Sequence, residues 1–181
     1  MSHGLVSAMA PDGAPEIAEG TDLAGVLLEL LGPDHLQDGD LVVITSKVVS
    51  KAEGRVVPGS REEHLPDATA RVVARRGPTT IVRTHHGLTL AAAGIDNSNV
   101  ERGASVLLPL DPDASARRLR ADLQERTGLV LGVVVTDTAG RAWREGQTDI
   151  AIGAAGLLVA QDFAGQLDGH GNELAVTAPA V

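Results

Sequence analysis

The sequence predicts a mixed α and β architecture, sheets with packed helices, and three observations carry that reading. Compact apolar runs of strand length, Leu41 to Thr45 (LVVIT) and Leu129 to Val135 (LVLGVVV), alternate with segments of helical periodicity. The clearest helix, Ser115 to Arg126, places Ala116, Leu119 and Leu123 on one face, with Gly128 suited to close it. Hydrophobic residues make up 43% and charged residues 22% of a 181-residue chain, a length suited to one ordinary core or two small interlocked ones. A single functional unit over residues 1–181 is therefore expected. No GxxxxGK[ST] spacing occurs, so a nucleotide site, if present, is not a P-loop.

Thr21 to Leu31 (TDLAGVLLELL) reads as a short helix capped by Thr21 or Asp22 and ended by Gly32-Pro33. After a turn at Asp38-Gly39-Asp40, the strand LVVIT runs directly into Ser46-Lys47-Val48-Val49-Ser50-Lys51. That order sets polar and cationic groups just beyond a buried strand, where ligand sites often form. Asp67 to Arg76 is read as a helix with Val72 and Val73 inward, ended by Gly77-Pro78, and TTIVRT after it as a strand. Leu88 to Val100 (LTLAAAGIDNSNV) passes from an apolar stretch into a polar turn, ASVLLPL reads as a strand, and LVLGVVV leads into Thr136-Asp137-Thr138. Strand order and direction do not follow from the pattern.

A net charge of −9 argues against binding a phosphate backbone, since nucleic-acid binders concentrate positive charge on a face. No apolar run is long enough to span a membrane, and the start MSHGLVSAMAPDG lacks the basic and apolar regions of a secretory leader. With no cysteine there is no disulfide or thiolate chemistry, and a cytoplasmic protein is expected.

Among 15 basic residues only Lys47 and Lys51 are lysines, and they share one segment. Lysine differs from arginine as a compact, flexible point charge suited to phosphate, so the pair points to a site that needs an ammonium group; a solvated pair on an exposed face is the alternative. Two aspartates also sit in polar turns beside apolar structure, in Gly94-Ile95-Asp96-Asn97-Ser98-Asn99 and in Val135-Thr136-Asp137-Thr138. Taken singly, each reads first as a turn former that hydrogen-bonds its own backbone. Taken with the lysines, they supply the one or two carboxylates that a hard divalent cation needs when phosphate oxygens complete its shell. Thr136 to Gly156 adds Arg141, Arg144, Gln147 and Asp149 among glycines that let backbone approach a ligand, a composition suited to an anionic substrate. His85 and His86, with no companion carboxylate or cysteine cluster, read as structural or solvent-exposed, and Trp143 as a packing anchor.

DGDLVVITSKVVSKAEGR, AAAGIDNSNV, LLPLDPDASA, TDTAGRAWREGQTDIAIGAAG and GNELAVT follow one another in the order seen in coenzyme F420-0:L-glutamate ligases, and from Ala14 onward most of the chain resembles that family. The resemblance implies a GTP-dependent ligase that adds L-glutamate to coenzyme F420-0 through an acyl phosphate, forming an amide and then γ-glutamyl links. It implies a two-part α+β ligase fold in an intertwined homodimer. It implies GTP contacts at Ala14, Pro15, Glu16, Ile17, Ser46, Lys51 and Asn99, and Mn²⁺ or Mg²⁺ ligands at Asp96, Asp137 and Thr138, with K⁺ as a helper ion. Asp96, Asp137 and Lys51 then carry the chemistry; apart from the resemblance, the side chains of Arg141 or Arg144 suit the reception of an anionic substrate.

Two departures from the family pattern stand beside this. APEIAEG replaces a more apolar GLPE-type stretch, and the family's ligase domain continues several tens of residues beyond the position of Val181, so a form shortened at its C-terminal end is expected. Some actinobacterial relatives carry a further flavin-binding domain. The competing readings are a catalytically incomplete nucleotide-binding paralogue or hetero-oligomer subunit, and a metal-dependent phosphohydrolase that uses the same two aspartates.

Overall fold

The computed structural model describes residues 6–32, 35–140 and 145–180. Helix α1 (Leu23–Leu31) begins where the Asp22 carboxylate accepts a hydrogen bond from the Gly25 N–H, satisfying one of the unpaired donors of a first turn. Strand β1 (Leu41–Thr45) follows and turns without a loop into α2 (Ser46–Ala52). Next come β2 (Val56–Pro58), α3 (Arg61–Ala68), β3 (Thr69–Arg76), β4 (Thr79–Thr84), β5 (Thr89–Ala91) and a 3₁₀ turn at Ala92–Gly94. The chain continues through β6 (Ala104–Val106), α4 (Pro112–Thr127), β7 (Gly132–Ala139) and β8 (Thr148–Ala155).

The strands form three sheets, ordered β1-β7-β8, β2-β6 and β3-β4-β5, so the architecture is α+β with mixed and antiparallel pairing, as expected. In the first sheet β1 and β7 are parallel, with Val42 opposite Val133 and Ile44 opposite Val135. Successive side chains of a strand point to opposite faces. These four valine and isoleucine side chains therefore share one face, and α4 covers it with Ala116, Leu119 and Leu123, joined by Ala24 of α1 and Val49 of α2. The other face leaves Leu41 and Val43 largely exposed. Helix α4 is bounded as its sequence dictates: Asp111 accepts from the Ala114 N–H, Pro112 opens the first turn, and Gly128 closes the last one at φ 72, a conformation that costs a residue with a Cβ about 1–2 kcal/mol.

The third sheet, β3-β4-β5, is an antiparallel meander. Val82, at its centre, packs with Ala93 and Ile95 against Leu65, Ala68 and Leu107. Gly94, at φ 72, lies where a Cβ would come within 3.0 Å of Leu108, so the turn that precedes Asp96 is built on a glycine for both reasons.

Two expectations are corrected here. Asp67 to Arg76 is not a helix. The Ser60 and Glu63 capping box starts α3 at Arg61, and the segment from Thr69, rich in β-branched residues, pairs with β4 as β3, with Gly77 and Pro78 in the hairpin turn between them. Val72 and Val73 are accordingly 43% and 46% exposed rather than inward. The second correction is Asp137 and Thr138, which belong to β7 and are held by cross-strand pairing to Ile150 and Asp149 instead of sitting in a turn. The expected ASVLLPL strand is realised only as Ala104–Val106. Among the described residues no helix is long and apolar enough to cross a membrane.

Candidate functional site

Parallel pairing sets Thr45, the last residue of β1, opposite Thr136 of β7, which runs on to Ala139. The residues one step further on, Ser46 and Asp137, therefore meet: the Ser46 hydroxyl donates to Asp137 Oδ1 at 2.7 Å. A cleft of about 1380 Å³ opens at this point. One wall is α2 with the Pro15 to Ile17 segment. The lining continues through the β4–β5 region, the Gly94 to Asn99 turn and the end of β7.

Because α2 is helical, Lys47 and Lys51, four residues apart, project from one face toward the cleft. Lys47 pairs with the Asp96 carboxylate and donates to the Ser98 hydroxyl at 2.7 Å. Lys51 is buried and pairs with Glu16 from the N-terminal segment. Asp96 is fixed by a backbone bridge to Val106 and accepts from the Ser98 N–H and hydroxyl, each at 2.8 Å. The turn holding it includes Ala92 and Ala93 at φ 49 and 56, with Asn99 at φ 55; non-glycine residues in this left-handed region store strain that tends to gather at functional sites.

The two aspartates differ electrostatically. Burial would raise the Asp96 acid, but hydrogen bonds from Lys47 and Ser98 and the Lys47 charge outweigh it and hold the group at about 2. Asp137 is pushed up by burial, opposed by hydrogen bonds from Ser46 and Thr138, and pushed further by the charges of Asp149 and Asp96. A carboxylate destabilised by its carboxylate neighbours is stabilised when a cation arrives between them.

Of the residues singled out in the sequence, Pro15, Glu16, Ile17, Ser46, Lys51, Asp96, Asn99, Asp137 and Thr138 line the cleft, while Ala14 is exposed just outside it. Thr138 needs a distinction. Its side chain and that of Thr136 lie on the β7 face opposite Asp137, and both hydroxyls donate to Asp149, at 2.9 and 3.2 Å. Arg141, Trp143 and Arg144 lie outside the described residues. His85 and His86 are exposed, and the His86 ring bonds the Leu110 carbonyl. Sequence reasoning gave Lys47 no role of its own, although its spacing of four from Lys51 was a readable signal. It missed Arg61, whose guanidinium donates to the Ile95 carbonyl at the cleft wall and which no motif marks.

The donor set is entirely oxygen. Among the described residues no cluster of three or more histidine, cysteine, aspartate or glutamate side chains forms a metal cage. Two carboxylates with a hydroxyl nearby fit a Mg²⁺ or Mn²⁺ whose shell is completed by phosphate and water, and do not fit a zinc cage or a calcium loop.

Fold and site together define an α+β protein with a strand-end cleft that gathers carboxylates, ammonium groups and hydroxyls, a surface suited to an anionic ligand accompanied by a cation. The chain belongs to the F420-0:gamma-glutamyl ligase family, whose model matches residues 13–70 and 62–181. Proteins named coenzyme F420:L-glutamate ligase from Methanothermobacter thermautotrophicus and Archaeoglobus fulgidus are each 38% identical to it, over 97% and 94% of this chain and 79% and 75% of their own lengths. The protein of that name from Halobacterium salinarum is 40% identical over 96% of this chain and 76% of its own.

Proposed function

We propose that this chain is a GTP-dependent ligase that joins L-glutamate to coenzyme F420-0. What carries the proposal is the meeting of Asp96, Asp137, Ser46 and Lys51 at one strand-end cleft in a chain of this family. In the proposed reaction a carboxylate oxygen of the acceptor attacks the γ-phosphorus of GTP and GDP leaves. The glutamate amine then attacks the acyl carbon of the resulting acyl phosphate, phosphate leaves, and the amine loses a proton. Phosphoryl transfer depends chiefly on alignment and charge neutralisation, so no protein nucleophile is needed. A divalent cation held by Asp96 and Asp137, with Thr138 at the rim, would neutralise charge on the phosphates. Lys51 adds a fixed positive charge, Ser46 orients Asp137, and Asn99 with the Pro15 to Ile17 segment bounds the nucleotide.

With Mg²⁺ or Mn²⁺, K⁺, GTP, L-glutamate and F420-0, mass spectrometry is expected to show the acceptor extended by glutamate together with GDP and phosphate. ATP in place of GTP is expected to support much less product. A folded chain that binds metal and GTP but makes no glutamylated product would return the incomplete-paralogue reading.

A homodimer is part of this proposal and is supported by the outward face of β1, an edge strand, where Leu41 and Val43 are 56% and 62% exposed. Exposed apolar edge strands are ordinarily covered or broken by charge. Light scattering at micromolar concentration is expected to give twice the chain mass, and Val43→Lys to shift the population toward monomer. A stable wild-type monomer would exclude the dimer.

A further inference from the structure

The meander β3-β4-β5 carries a charge that the cleft chemistry does not use. Between Asp67 and Asp96 the chain has no acidic residue, yet Arg71, Arg75, Arg76 and Arg83 all fall there, in a protein of net charge −9. Among the described residues none of these four arginines takes part in an ion pair or a side-chain hydrogen bond, and all four are exposed. Pairing register places Arg71 directly opposite Arg83, and Arg83 directly opposite Thr89. Like charges facing each other across an antiparallel pair are destabilising, so the fold holds an unfavourable arrangement on this face.

The row is also directional. Thr89 lines the cleft, as do Ile81 and Ala91, which sit on the same face two positions along. With neighbouring strands about 5 Å apart, Arg83 lies about 5 Å and Arg71 about 10 Å beyond the cleft wall. Two guanidinium groups thus extend outward in a line from the site where the acceptor is joined to glutamate.

Resting on the ligase reading, the chemistry of the product says what would follow that line. Each ligation consumes one carboxylate as an amide and brings in two, so the growing γ-glutamyl tail gains one negative charge per cycle. A guanidinium presents a planar fork that matches a carboxylate bidentately, which an ammonium does not. We propose that Arg71 and Arg83 form a subsite for the carboxylates of a γ-glutamyl tail, so that an acceptor already glutamylated is held by contacts that bare F420-0 lacks.

The test compares wild type with Arg71→Gln, Arg83→Gln and the double variant, using F420-0 and its singly and doubly glutamylated forms as acceptors. Loss of the charge-assisted contacts is expected to raise KM for the doubly glutamylated acceptor about tenfold in the double variant, and to leave KM for F420-0 and for GTP unchanged. The melting temperature is expected to stay level or rise, because the facing like charges are relieved; a purely structural role for the arginines would lower it. An equal change for all acceptors, or no change for any, overturns the subsite. If wild type glutamylates none of them, the ligase reading fails, and calorimetric titration with tetra-γ-L-glutamate then decides the subsite alone. Salt-sensitive binding that weakens in the double variant supports it, and absent or unchanged binding overturns it.

Discussion

Asp137→Asn is expected to lower the glutamylation rate about a hundredfold, the equivalent of about 3 kcal/mol of transition-state stabilisation, and to leave the protein as stable as before or slightly more so. The rate falls because the amide keeps the size of the side chain and can still accept from Ser46 but no longer brings a negative charge to the cation. Stability moves the other way because burial and the neighbouring Asp149 and Asp96 charges disfavour the ionised Asp137 side chain, so at neutral pH its charge works against the fold. Asp96→Asn is expected to cost a similar factor in rate but to lower stability, since its hydrogen bonds from Lys47 and Ser98 favour the ionised form. Steady-state rates and melting curves in metal-free buffer separate the two effects. Full activity in both variants would remove the metal assignment, and identical stability changes would contradict the electrostatic contrast between the two carboxylates.

Leu123→Ala is expected to destabilise the fold by about 3 kcal/mol, because the side chain is fully buried where α4 meets β1 and β7 and its loss leaves a cavity the surrounding elements cannot fill. For a chain of this size that corresponds to a fall of about 10 °C in melting temperature. Leu110→Ala, at a side chain 73% exposed, is the matched control and is expected to change stability by less than about 0.5 kcal/mol. The comparison bears on function as well as on packing. The same α4 contacts fix the register of β1 and β7, and that register makes Ser46 and Asp137 meet. Loosening this core is therefore expected to slow the reaction even though Leu123 is not among the cleft-lining residues. A small stability change in Leu123→Ala would show that the interface collapses around the cavity.

Legibility in the sequence tracked how local the deciding interaction is. The α4 helix, its Gly128 closure, a cap for α1 at Thr21 or Asp22 and the β1 run were readable because periodicity and capping act within a few residues, while β7 was read from Leu129 and begins at Gly132. The Thr69–Arg76 strand was misread because Gly77-Pro78 serves equally as a helix stop and as a hairpin turn, and only pairing with β4 distinguishes them. β8 was missed because Thr148–Ala155, with alanines and a glycine, has little strand propensity; cross-strand hydrogen bonds to β7 and packing under α4 hold it.

At the site, residue identity alone made legible which side chains could carry charge or donate hydrogen bonds. A lysine pair confined to one segment, two aspartates in distinct motifs and the order of five motifs pointed to the family and to many of the residues that line the cleft, though not to Arg61. How those residues face one another follows from strand pairing and helix packing between distant segments. Tertiary structure put Asp137 and Thr138 on opposite faces of one strand, matched Lys47 with Asp96 and Lys51 with Glu16, and aligned Arg71 and Arg83 beside the cleft. The reason is physical: residue identity fixes charge and donor type, whereas strand direction and register, set by burial of distant apolar faces, fix which charges share a dielectric environment and which ligand they can hold together.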